Sequence, residues 1–67
     1  MRTLATVDEC ADRLHRAGWS TGDVRSGGEW FVIATRGEIT IEARAASQVG
    51  AWREAVKQTE ATGASSP

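Results

Sequence analysis

The chain has 67 residues, enough for one domain that buries only about 60% of its unfolded surface and leaves little room for a deep catalytic cleft. Eight basic and nine acidic residues give a net charge of −1 with the signs interspersed, which argues against the basic face that non-specific nucleic-acid binding requires. One cysteine, Cys10, and one histidine, His15, rule out an internal disulfide and a zinc site built on Cys and His.

Residues 1–5 read as a lead-in, and no apolar run follows Met1. The expectation is therefore a cytoplasmic protein with no membrane association. Thr6-Val7-Asp8-Glu9 is a capping box, in which Thr6 accepts from the Glu9 N–H and Glu9 reaches back. Val7, Cys10, Ala11, Leu14 and Ala17 form one helical stripe. Acids lead and bases trail, as the helix dipole favours, with Glu9–Arg13 and Asp12–Arg16 as i,i+4 pairs. Gly18 suits a left-handed stop. The first helix is thus expected over about Val7–Ala17.

Trp19–Arg25 favours an extended segment, weakened by Gly22, and Ser26-Gly27-Gly28 marks a turn. Trp30–Thr35 is the strongest strand pattern and is apolar on both faces. Arg36-Gly37 is expected as a two-residue loop, and Glu38–Arg44 alternates as a half-buried strand does. That loop would pair Thr35 with Glu38, Ala34 with Ile39, Val32 with Ile41 and Trp30 with Ala43. Trp30, Val32, Ala34, Ile39, Ile41 and Ala43 would then share an apolar face. Phe31, Ile33, Thr40 and Glu42 would share the opposite one. Val24 joins Phe31 if the first hairpin pairs the two; a three-residue loop would turn it inward.

Ser47 is a suitable N-cap for a second helix whose apolar stripe is Val49, Trp52, Ala55, Val56 and Thr59. Glu54 is placed to meet Lys57 and Gln58 on its outer side. The fold class expected is α+β: a three-stranded antiparallel meander with two helices packed on one face, as a single domain over residues 1–61. Residues 62–67 read as a disordered tail.

The order helix–strand–strand–strand–helix resembles the double-stranded-RNA-binding-domain fold, which small RNA-cleaving toxins of the HicA type share. Leu14-His15-Arg16-Ala17-Gly18-Trp19, Gly27-Gly28 and the strand from Trp30 to Ile33 are similar to the toxins' layout of helix, glycine-aromatic pair, turn and strand. The resemblance implies the fold over residues 7–60. The functional residues depart from both families. The toxins' histidine after the turn glycine is replaced in Gly28-Glu29-Trp30. The lysine cluster that opens the second helix of RNA binders is replaced by Ser47-Gln48-Val49-Gly50-Ala51-Trp52-Arg53. Ser47 to Gln58 also looks like the last helix of small uncharacterised bacterial proteins.

Single residues offer little chemistry. His15 lies on a charged helix flank, and Cys10 lies on the apolar stripe, where a free cysteine packs as a small hydrophobe. Glu38 and Glu42, four apart on a strand, would stand about 13 Å apart, too far for a glycosidase-type pair. Glu29 reads as a solvated strand charge. Ser26-Gly27-Gly28 lacks the strand-to-helix context of a phosphate loop. No catalytic, cofactor or metal residues are assigned.

Two readings stand above a third, an RNA-cleaving toxin, which ranks last because the histidine that the resemblance implies is absent. In the first, the chain is a non-enzymatic module that binds an unknown protein partner or a second copy through Phe31, Ile33, Thr40 and Glu42, or by strand addition along Glu38–Arg44. In the second, it is a degenerate duplex-RNA binder using Arg44, Arg53 and Lys57.

Overall fold

The computed structural model describes the backbone of residues 6–64 and the side chains of residues 6–61. The lead-in at 1–5 and the end of the expected tail, 65–67, lie outside the described residues. Helix α1 spans Val7–Arg16, strands β1, β2 and β3 span Ser20–Ser26, Glu29–Arg36 and Ile39–Ala45, and helix α2 spans Gln48–Ala64. The strands form one antiparallel sheet in the order β1-β2-β3, with β1 and β3 at its edges. Both helices pack on the same face of it. No helix among the described residues is long and apolar enough to cross a membrane.

Helix α1 begins where its cap does: Thr6 Oγ1 accepts from the Glu9 N–H at 3.1 Å. It ends in a Schellman motif. The Trp19 N–H reaches Leu14 O at 3.0 Å, the Gly18 N–H reaches His15 O at 3.0 Å, and Gly18 takes φ +92°. This reversal drops Trp19 onto the core beside Leu14. Asp12 and Arg16 form the expected pair at 3.0 Å, while Arg13 pairs with Glu60 and so ties α1 to α2. Helix α2 is capped by Ser47, whose Oγ accepts from the Gly50 N–H at 3.1 Å. Its backbone continues through Ala64, into the stretch read as tail.

The hairpins follow their glycines. Between β1 and β2, Gly27 and Gly28 both have positive φ (60° and 82°), the pattern of a type I′ turn, and Val24 pairs with Phe31. Between β2 and β3, the expected Arg36-Gly37 loop is corrected to Gly37-Glu38. Arg36 pairs with Ile39, Thr35 with Thr40, Ala34 with Ile41, Val32 with Ala43 and Trp30 with Ala45. A two-residue hairpin loop needs positive φ at its first position, and Gly37 (φ 62°) meets that need without the strain Arg36 would suffer. The pairing therefore moves by two residues, and every side chain keeps its face.

The core is Cys10, Leu14, Trp19, Val32, Ala34, Ala43, Ala51, Trp52, Ala55 and Val56, with Val7, Ala11, Trp30, Ile41 and Ala45 half-buried against it. Ala51, left out of the expected α2 stripe, is fully buried, while Val49 is only half-buried. Ile39, expected inside, is 40% exposed at the mouth of its hairpin.

Candidate functional site

Strand alternation sends β2 residues 30, 32, 34 and 36 toward the helices and residues 29, 31, 33 and 35 away from them. The far face of the sheet carries three cross-strand rows. Val24, Phe31 and Arg44 form one, Gly22, Ile33 and Glu42 the next, and Ser20, Thr35 and Thr40 the third. Neither helix covers this face. Val24 is 52% exposed and Ile33 is 41% exposed, with half-buried Phe31 beside them. Phe31, Ile33, Thr40 and Glu42 thus share one surface, and Val24 joins them. Gly22 adds no side chain to that surface, and a Cβ placed there would meet nothing within 4 Å. Arg44 lies beside Glu42 on the same face, separated by one strand repeat.

Arg53 and Lys57 are exposed on α2, where with Gly50 and Glu54 they line a shallow depression of about 320 Å³. That surface is on the helix side of the sheet, so Arg44 is not part of it. Sequence spacing placed these three cations near one another; strand parity separates one from the other two.

The remaining polar side chains near the helices are engaged with the fold. His15 Nε2 lies 3.1 Å from Thr21 Oγ1. Cys10 is fully buried, and burial raises its thiol pKa, with Arg53 pulling the other way. Glu38 occupies the second turn and is not on the strand with Glu42. Arg36 lies with its guanidinium 4.7 Å from the centre of the Trp19 ring and donates to Ala17 O at 2.9 Å. It borders a cleft of about 350 Å³ floored by Leu14 and Trp19 and flanked by the Arg13–Glu60 pair. Among the described residues, no three His, Cys, Asp or Glu side chains come together as a metal site requires.

Asp23 escaped the sequence reading. It lies midway along edge strand β1 on the helix side, and its Oδ2 accepts from Gln48 Nε2 at 2.9 Å and from Trp52 Nε1 at 3.0 Å. The Gln48 bond first, and the Trp52 bond second, hold its carboxyl below the usual range. One signal was available: aspartate is disfavoured within strands, so its presence there asks for a partner.

The chain matches no protein-family model, no curated protein and no solved structure. The order α-β-β-β-α is compatible with the duplex-RNA-binding fold and is not evidence for it.

Proposed function

We propose that this chain is a non-enzymatic docking module whose contact surface is the open face of its sheet. One observation carries the reading: Val24, Phe31 and Ile33 are contiguous on the side of the sheet away from both helices, and two of them are among the most exposed large apolar side chains of the described residues. Contiguous exposed apolar surface on a small domain marks a contact site, whereas scattered single residues do not. The rim of Thr35, Thr40, Glu42 and Arg44 adds polar groups around it, as interfaces have. The burial of Cys10 takes the side chain best suited to nucleophilic work away from solvent, which favours binding over catalysis.

The test is capture from extracts of the producing cell on immobilised wild-type and Phe31→Ser chains, both checked for folding. A species held by the first and lost by the second supports the reading. Equal retention by both counts against it, and so does retention by neither when the chain also fails to self-associate.

Duplex-RNA binding is the weaker alternative, because Arg53 and Lys57 share a surface from which Arg44 is absent. Retention of duplex RNA at low salt, with steep release as salt rises, would favour it.

A further inference from the structure

The open face has a symmetry that its individual residues do not suggest. Consider a two-fold axis lying against this face, perpendicular to the strands, and passing between the Phe31 row and the Ile33 row. Rotation about it lays a second copy face to face on the first, with β1 over β1, β2 over β2 and β3 over β3, strands reversed. The two rows exchange. Val24 then stands over Gly22 of the copy, Phe31 over Ile33, and Arg44 over Glu42, and each contact occurs twice.

Two of the three pairings are complementary in chemistry, and the third meets no opposing side chain. Val24 is the most exposed large apolar side chain among the described residues, and it stands over Gly22. Phe31 and Ile33 meet as apolar partners. Arg44 and Glu42 meet as opposite charges. The other face-to-face two-fold, with its axis along the strands, would instead lay Arg44 over Val24 and leave both charges unmatched. Face-to-face sheets pack about 10 Å apart with strands within about 30° of alignment, which keeps the two rows nearest the axis in register.

We infer that the partner of this face is a second copy of the chain, held in an isologous dimer by the exchanges Val24–Gly22, Phe31–Ile33 and Arg44–Glu42. The inference rests on the docking reading above and names its occupant. Three strands at about 4.8 Å spacing and seven residues at about 3.4 Å rise give a face of about 340 Å². Two such faces fall below the size of stable interfaces, so the dimer is transient and forms at high concentration.

The experiment is sedimentation equilibrium of the full chain from about 10 µM to 1 mM, with folding of each variant checked by thermal melts. The wild type is expected to pass from monomer toward dimer across this range. Glu42→Arg and Arg44→Glu each place like charges in both exchanges, so each alone loses association by roughly tenfold. Mixed together, they restore it, because every exchange again joins opposite charges.

A wild type that stays monomeric at 1 mM overturns the dimer. So does a mixture of the two charge variants no more associated than either alone. None of these outcomes decides the broader docking reading, which the capture contrast with Phe31→Ser tests separately. A foreign protein held by the wild-type face, together with a monomeric chain, would keep docking and refute self-association.

Discussion

Asp23→Ala removes the single carboxylate oxygen that hangs the start of α2 on the far edge of the sheet. Two donors lose their acceptor. The Gln48 amide is half-buried and returns to water at small cost. Trp52 is only 5% exposed, so its Nε1–H is left short of a partner, at a cost of about 1–3 kcal/mol. Because Asp23 is itself solvent-exposed, screening keeps the charge contribution small. The net loss expected is about 1.5 kcal/mol. With a urea slope of about 1 kcal/mol per molar for a domain this small, the midpoint should fall by about 1.5 M. Urea titration followed by tryptophan emission reads it.

The pH dependence has a definite sign. The folded carboxyl lies below its ordinary value of about 4, so the stabilisation is complete above that pH and is lost as pH falls through the folded value. The gap between wild type and Asp23→Ala should therefore narrow under acid. In a Trp52→Phe background, which lacks the indole donor, the cost of Asp23→Ala should shrink as well. Equal midpoints for wild type and Asp23→Ala at neutral pH would refute the latch. A deficit undiminished in the Trp52→Phe background would refute the role given to the indole.

Other positions carry their own signatures. Gly50→Ala ought to gain up to about 1 kcal/mol from helix propensity, yet the new Cβ would lie 2.8 Å from Ser47 Oγ and 3.2 Å from Ala45 Cβ. It should therefore destabilise the wild type and cost less once Ser47→Ala removes the cap oxygen; thermal melts of the four chains check this coupling. Gly18→Ala has room for its Cβ, which would lie 3.5 Å from Arg36 Cδ, but must hold φ near +92° at a cost of about 1–2 kcal/mol. Gly18→Asn should cost less, and denaturation midpoints would rank the pair. Cys10 should react with a thiol reagent only as fast as the chain opens, because the side chain is fully buried and its thiol pKa is raised. Labelling at the rate of a free cysteine on the folded chain would contradict that burial. Cys10→Ala should cost about 1 kcal/mol as a small core truncation.

Local patterns made much of the fold legible. The Thr6 cap, the Cys10–Leu14 stripe and the Gly18 stop delimit α1 because each depends on residues within about one helical turn of one another. Strand alternation was legible too, and it survived the corrected second turn because a two-residue shift in pairing keeps parity. The shift itself is not legible in the residue pattern, because Arg36-Gly37 and Gly37-Glu38 both fit a two-residue loop and only the backbone puts the glycine first. The outer apolar face was legible as soon as both helices were assigned to the inner one. Whether Val24 belongs to it was not, because that depends on the length of the first turn.

The sequence by itself determined which residues form helices and strands and which side of each element is apolar, since those properties repeat over three to four residues or over two. Only the tertiary structure decided that Asp23 meets Trp52 and that Arg13 meets Glu60. These relations join residues distant in the chain. They follow from how far each turn carries the backbone and which face the helices occupy, and no short-range repeat records either.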